Sequence, residues 1–122
     1  MTRSRQSAKQ AGSGFERLIA DDLATDVDDR IDRRVKTGAA DRGDIANVRT
    51  VDGRRIVLEC KDYGGRYHVS EWLREAETER INDNAAAGVV VAKRRGTRNP
   101  DDQVVFMTLR DFKQLITRQD AS

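Results

Sequence analysis

The sequence predicts a mixed α/β (α+β) fold, in which helices flank a central mixed β-sheet in the order α-β-β-β-α-β-β-α. An early segment spaces its apolar residues as one face of a helix does. Two apolar-rich runs are joined by Asp52-Gly53, a strong hairpin signal. After a long polar segment, the run "GVVVA" is continuously apolar, which is typical of a buried strand.

The first helix is predicted to begin at Ser13, which can cap it, with Glu16 completing a capping-box pattern. The apolar face of this helix consists of Phe15, Leu18, Ile19 and Leu23. The helix could also continue through Val27 and Ile31, in competition with a first short strand, "IDRRVK". The segment "TGAADRG" that follows is predicted to be a loop.

The later elements are predicted from short apolar runs and their boundaries. The hairpin strands are "DIANVRTV" and "RRIVLECK". A polar helix is expected from Ser70 to about Ala87, where Gly88 ends it. The last strand is "QVVFMT", and Thr108 with Asp111 is expected to cap the final helix, "LRDFKQLI".

At 122 residues the chain is predicted to form one domain, over residues 13–118, after a flexible basic tail at residues 1–12. No apolar run approaches the ~20 residues that span a membrane. The basic N-terminus is followed by no apolar stretch, so no secretory signal is predicted. The single cysteine, Cys60, excludes an internal disulfide framework and predicts a reducing, cytoplasmic location.

The net charge is only +2, but the charges are unevenly distributed. Basic residues cluster near the N-terminus and in "KRRGTR", whereas "DDLATDVDDRID" concentrates six Asp. Separate basic and acidic zones are typical of a protein that contacts phosphate on one side and uses carboxylates elsewhere, although solvated surfaces also account for them. The candidate phosphate contacts are Arg3, Arg5, Lys9, Lys93, Arg94, Arg95 and Arg98.

The hairpin brings three charged residues together. If Asp52-Gly53 forms a two-residue turn, the register is fixed and Asp44 lies opposite Lys61. Alternate residues of a strand share a face, so Glu59 and Lys61 point one way while Cys60 points toward the core. The three charged side chains are therefore predicted to converge at one end of one face.

This trio suits phosphodiester hydrolysis. Asp44 and Glu59 can hold Mg²⁺, which lowers the pKa of a bound water and neutralises developing charge. Lys61 can orient or deprotonate the attacking water, and Glu16 could supply a further acid at the same end of the sheet. A structural ion pair also explains the same pattern. The acid-x-Lys spacing by itself is weakly specific, because Asp111-Phe112-Lys113 repeats it in a helix predicted to be exposed.

These motifs resemble the PD-(D/E)xK nuclease superfamily, and within it the archaeal-type Holliday junction resolvases and their phage or bacterial relatives. The resemblance covers about residues 10 to 107, through "GSGFERLIADDL", "RRVKTGAADRGDI", "IVLECK" and "GVVVAKRRG". It implies a restriction-endonuclease-like core, with Lys61 as catalytic base or water-orienting group and Lys93 as the basic residue after a strand. It implies a metal-binding set of Glu16, Asp44 and Glu59.

The activity implied by the resemblance is a Mg²⁺- or Mn²⁺-dependent endonuclease, usually a homodimer, that cuts branched DNA in recombination and repair. The sequence departs from the family pattern at two points. The Pro of the motif is missing and Gly43 precedes Asp44, and Thr37 is the one hydroxyl in a loop where many resolvases place a functional Ser. A nuclease for duplex ends, flaps, single strands or restriction sites, and a non-catalytic DNA-binding module, stay open as alternatives.

Overall fold

The computed structural model describes residues 4–35 and 42–119, so Arg3 and Thr37 lie outside the described residues. It confirms the mixed α/β fold and its element order. The helices are α1 (Arg5–Asp26), α2 (Val69–Asn82) and α3 (Leu109–Ile116), with a short 3₁₀ helix at Pro100–Asp102. The strands are β1 (Asp32–Arg33), β2 (Ile45–Ala46), β3 (Ile56–Lys61), β4 (Ala87–Ala92) and β5 (Val104–Phe106).

The five strands form one sheet in the order β1-β2-β3-β4-β5. β3 and β4 are parallel, because α2 connects them, and the other neighbouring pairs are antiparallel. Residues along a strand alternate between faces, so Leu58 and Val91 pack under Phe15 and Ile19 of α1. The opposite face forms a second core of Trp72, Ala76, Val90, Ala92 and the partly buried Phe106. In the described part of the chain, no helix has the length and apolar character to cross a membrane.

The predicted start of the first helix, at Ser13, is wrong. α1 begins at Arg5, where the Ser4 hydroxyl accepts a hydrogen bond from the backbone N–H of Ser7. Residues 5–12, expected to belong to a flexible tail, are therefore helical. Their side chains are mostly exposed, so this part of the helix has no apolar periodicity to reveal it. The helix ends at Asp26, which excludes the alternative in which it continued through Ile31.

The predicted end of the second helix is also wrong. α2 ends at Asn82, and Asn84 takes a left-handed conformation with φ of 51°. Asn tolerates this conformation and commonly terminates helices. The alanines after it lead into β4 instead of extending the helix. The cap of α3 is as predicted, because the Thr108 hydroxyl accepts from the backbone N–H of Asp111 at 3.2 Å.

The hairpin register differs from the prediction because the strand before the turn carries two extra residues. The backbone N–H of Thr50 donates to the carbonyl of Arg54, so the loop has three residues instead of two, with Gly53 at φ of 88°. Asn47 is also left-handed, at φ of 70°, and beyond it the ladder pairs Ile45 with Leu58. The predicted pairing of Asp44 with Lys61 is therefore wrong. Instead the backbone N–H of Asp44 donates to the carbonyl of Leu58 at 2.9 Å.

Replacing Gly88 by Ala should destabilise the protein by about 1–3 kcal/mol. A Cβ at this position of β4 would lie 2.7 Å from the backbone oxygen of Ala76 in α2. Gly14→Ala is the matched control, because a Cβ there meets no atom within 4 Å and Ala in a helix gains about 0.5–1 kcal/mol over Gly. Urea unfolding followed by circular dichroism measures both variants. Equal midpoints would contradict the close contact between α2 and β4.

Candidate functional site

A polar cavity of about 660 Å³ opens where β3 ends. Its walls come from α1, from the start of β2, from the end of β3 and from the loop that follows. All four residues predicted to form the catalytic site, Glu16, Asp44, Glu59 and Lys61, line this cavity. The structure thus brings them together, while their catalytic roles stay predictions.

Asp44 and Glu59 are buried carboxylates, only 3% and 5% exposed. The Asp44 Oδ2 accepts a hydrogen bond from the backbone N–H of Cys60 at 2.8 Å. Together with the bond from the Asp44 N–H to Leu58, this contact fixes Asp44 against β3. Both carboxylates line the same cavity. Carboxylate oxygens are the ligands that hard divalent cations prefer.

Gly43 allows the backbone before Asp44 to lie close to β3. It has φ of 94°, in the left-handed region that favours Gly. A Cβ at this position would lie 2.9 Å from the Val57 side chain and 3.1 Å from the Leu58 carbonyl. Gly43 therefore lets Asp44 lie against β3.

Lys61 projects from the end of β3 toward α2, where its Nζ lies 2.7 Å from Glu75 Oε2. Burial by itself would lower the pKa of the Lys61 ammonium. The hydrogen bond to Glu75 and the negative charges of Glu75 and Glu59 outweigh burial, and the pKa is raised. Lys61 therefore carries its proton at neutral pH in this arrangement, which suits a group that orients water or stabilises negative charge.

Glu16 reaches the cavity from α1. Ala8 and Gly12 also line the cavity and precede Glu16 by eight and four residues, so the three share one face of the helix. Arg33 of β1 donates to Glu16 Oε1 at 3.4 Å. Glu16 thus adds negative charge to the cavity while pairing with a cation on its far side.

The negative charges of Asp44, Glu16 and Glu59 act on the thiol of Cys60. Burial raises the pKa of the Cys60 thiol well above its ordinary value, and the charges of Asp44, Glu16 and Glu59 raise it further. Their oxygens do not close into a tight set. Among the described residues, the one acidic trio with ligand atoms all within 4.8 Å of one another is Asp22, Asp26 and Asp101, at the surface. Exposed acidic clusters of this kind are common without an ion.

The basic loop "KRRGTR" lies beside the cavity. A second cavity of about 460 Å³ is lined by Lys93, Arg94, Arg95 and Arg98, and Arg95 lines both cavities. Gly65 packs closely on Arg95, whose Nε donates to the Gly64 carbonyl at 3.4 Å. The loop is therefore held against the end of β3.

Not every predicted basic contact is equally available. Lys93 Nζ donates to the carbonyls of Arg94 and Thr97, so this side chain stabilises its own loop. Arg5 and Lys9 are exposed on α1, and Lys9 lines a further cavity together with Glu16. Arg95 and Arg98 are the better-placed candidates for contact with a phosphate chain.

Several residues at the site were not found from the sequence. Glu75 pairs with Lys61 from a different element, fourteen residues later in the chain, and no spacing rule links the two. Tyr63 and His68 line the cavity and pack on Trp72, with ring centroids 5.3 and 5.7 Å from it. Trp72 is a core residue at 2% exposure. The sequence signal that could have placed Tyr63 at the site is its position two residues after Lys61.

Cys60 should react slowly with thiol reagents in the native protein. Its thiol is half-buried and its pKa is raised, so raising the pH from 7 to 9 should accelerate native labelling far less than it accelerates labelling of the urea-unfolded chain. Labelling by dithiobis-nitrobenzoate measures a single site, because the chain has one cysteine. Native and unfolded rates that rise in parallel with pH would contradict the raised pKa of the native thiol.

A scan against protein-family models found no match for this chain. Searches of curated proteins and of solved structures also found no significant match. The likeness to PD-(D/E)xK nucleases therefore depends on the sequence motifs of this chain and stays a prediction.

Proposed function

We propose that this chain is a metal-dependent endonuclease that hydrolyses phosphodiester bonds in DNA, with branched DNA such as a four-way junction as its substrate. The observation that carries the proposal is the buried pair Asp44 and Glu59, in one cavity with the Lys61 ammonium. Carboxylates that share a cavity with an ammonium group supply oxygen ligands for a cation and a hydrogen-bond donor for water or phosphate at one place.

The donor set fits a hard divalent cation. Asp44, Glu59 and Glu16 offer carboxylate oxygens, the ligands preferred by Mg²⁺ and Mn²⁺. Mg²⁺ usually takes one or two protein carboxylates and keeps several waters, so Asp44 and Glu59 are sufficient protein ligands. When bound, the metal supplies a water of lowered pKa and neutralises charge that develops on the phosphoryl group.

The residues of the chain supply the remaining functions. Lys61, protonated and held by Glu75, can donate a hydrogen bond to the attacking water or to a phosphoryl oxygen. Arg95 and Arg66 line the same cavity and can bind the phosphates that flank the scissile bond.

The choice of branched DNA comes from the resemblance to junction resolvases, as does the expectation of a homodimer that cuts two opposed strands. The basic loop at Lys93–Arg98 supports contact with a backbone beyond the scissile phosphate. A four-way junction, a flap and a linear duplex of matched sequence, incubated with and without Mg²⁺, provide the test. Preferential cutting of linear duplex would contradict the junction assignment, and no cutting of any substrate in Mg²⁺ or Mn²⁺ would contradict the nuclease.

Lys61→Ala should reduce cleavage by about 10²–10⁴-fold, because it removes the positioned hydrogen-bond donor. Glu59→Gln should abolish metal-dependent cleavage, since it removes a ligand charge. Both variants should still bind DNA in EDTA, as measured by fluorescence anisotropy. Lys113→Ala is the matched control, because Lys113 is exposed on α3 and follows an acid-x-Lys pattern whose acid, Asp111, is buried, contrary to the prediction of an exposed segment. This variant loses the same charge and should cut at the wild-type rate. Full activity of Lys61→Ala or Glu59→Gln would refute the mechanism.

A further inference from the structure

An arginine-lined groove of about 440 Å³ lies at the other end of β3. It is formed by the β2–β3 hairpin and by the loop after α2. Among the described residues that line it, the charged ones are Arg34, Arg42, Arg49, Arg55 and Asp83. The net charge of this lining is strongly positive, although the chain as a whole is nearly neutral.

The arginines of this groove are poorly compensated. Arg55 pairs with Asp83 at 3.3 Å, and Arg49 Nη1 donates to the Gly53 carbonyl at 3.0 Å. Within the described part of the chain, Arg34 and Arg42 form no ion pair with a carboxylate, and the buried Arg34 Nε has no hydrogen-bond partner. A buried guanidinium donor left without an acceptor costs free energy.

The hairpin also holds two like charges face to face. Arg49 and Arg55 form a bridge pair across the antiparallel strands, and like charges in directly opposed positions are destabilising. Folding alone gives no advantage to this arrangement. An anion that binds between the two guanidinium groups removes the repulsion and supplies the missing acceptors.

The groove and the acidic cavity lie at opposite ends of the same strand. Arg55 precedes Ile56, the first residue of β3, whereas Lys61 is its last. Arg55 and Lys61 are six residues apart along the strand, which corresponds to about 20 Å. A duplex carries about one negative charge per 1.7 Å of its axis, so one that follows this strand presents phosphates at both ends.

We propose that Arg34, Arg42, Arg49 and Arg55 form a second phosphate-binding site, separate from the acidic cavity. If the chain acts on DNA, as proposed above, the phosphates are those of a DNA arm held away from the bond that is cut. A free polyphosphate would present the same chemistry to the groove. The two sources are distinguished by the salt dependence of DNA binding and by competition with inorganic tripolyphosphate.

The first measurement is the affinity of the full chain for a linear duplex in EDTA, as a function of salt concentration. Each lost phosphate contact should lower the slope of log K against log salt by about 0.9. Arg34→Gln and Arg42→Gln should each show this decrease. Arg42 is exposed, so its substitution leaves the fold intact even if that of Arg34 does not. Arg74→Gln is the matched control, because Arg74 is exposed on α2 and should leave the slope unchanged.

The second measurement is tripolyphosphate binding, by isothermal titration calorimetry on the wild type and on Arg42→Gln. Lowered DNA slopes support the site with DNA as its source. Unchanged slopes together with tripolyphosphate binding that Arg42→Gln weakens support the site with a free polyphosphate as its source. Unchanged slopes without such binding overturn the proposal.

Metal-dependent cleavage is scored separately in the same preparations. A wild-type chain that cuts no DNA but shows groove-dependent anion binding contradicts the nuclease alone. A chain that cuts DNA with unaltered slopes and no tripolyphosphate binding contradicts the groove alone.

Discussion

The register between β2 and β3 determines the geometry of the candidate site. The left-handed residues Gly53 and Asn47 each insert one residue into the hairpin, and the second insertion places the Asp44 carboxylate on the backbone N–H of Cys60. Slipping a strand by one residue moves every side chain to the other face of the sheet. A different register would therefore separate Asp44 from Glu59 and would also remove the hydrogen bond that compensates the burial of Asp44.

The electrostatics of the cavity follow from that placement. Burial raises the pKa of the Cys60 thiol, and the negative charges of Asp44, Glu16 and Glu59 raise it further. Glu75 and the charge of Glu59 raise the pKa of Lys61 and keep it protonated. Glu75 fixes the position of the ammonium from α2. Positive side chains of the loop after β4 border this cavity, so attraction for a cation and attraction for phosphate lie side by side.

The local distribution of charge, more than the net charge, determines where this molecule can bind ions. The chain has a formal charge of only +2, yet it places carboxylates at one end of β3 and an excess of arginines at the other. Like charges that are held close together repel one another, which costs free energy of folding. A sheet stabilised by two apolar cores, one under α1 and one under α2, can tolerate this cost.

The sequence by itself determined the fold class, the hairpin, the cap of α3 and the four residues that line the acidic cavity. These features depend on local signals: apolar periodicity, Asp-Gly in a turn, and the alternation of Glu59 and Lys61 along a strand. Only the tertiary structure decided the register, the Glu75 partner of Lys61 and the arginine groove. The register depends on backbone conformations at Asn47 and Gly53 that several turn types permit, and the other two depend on residues that are distant in sequence and meet only when α2 packs on the sheet.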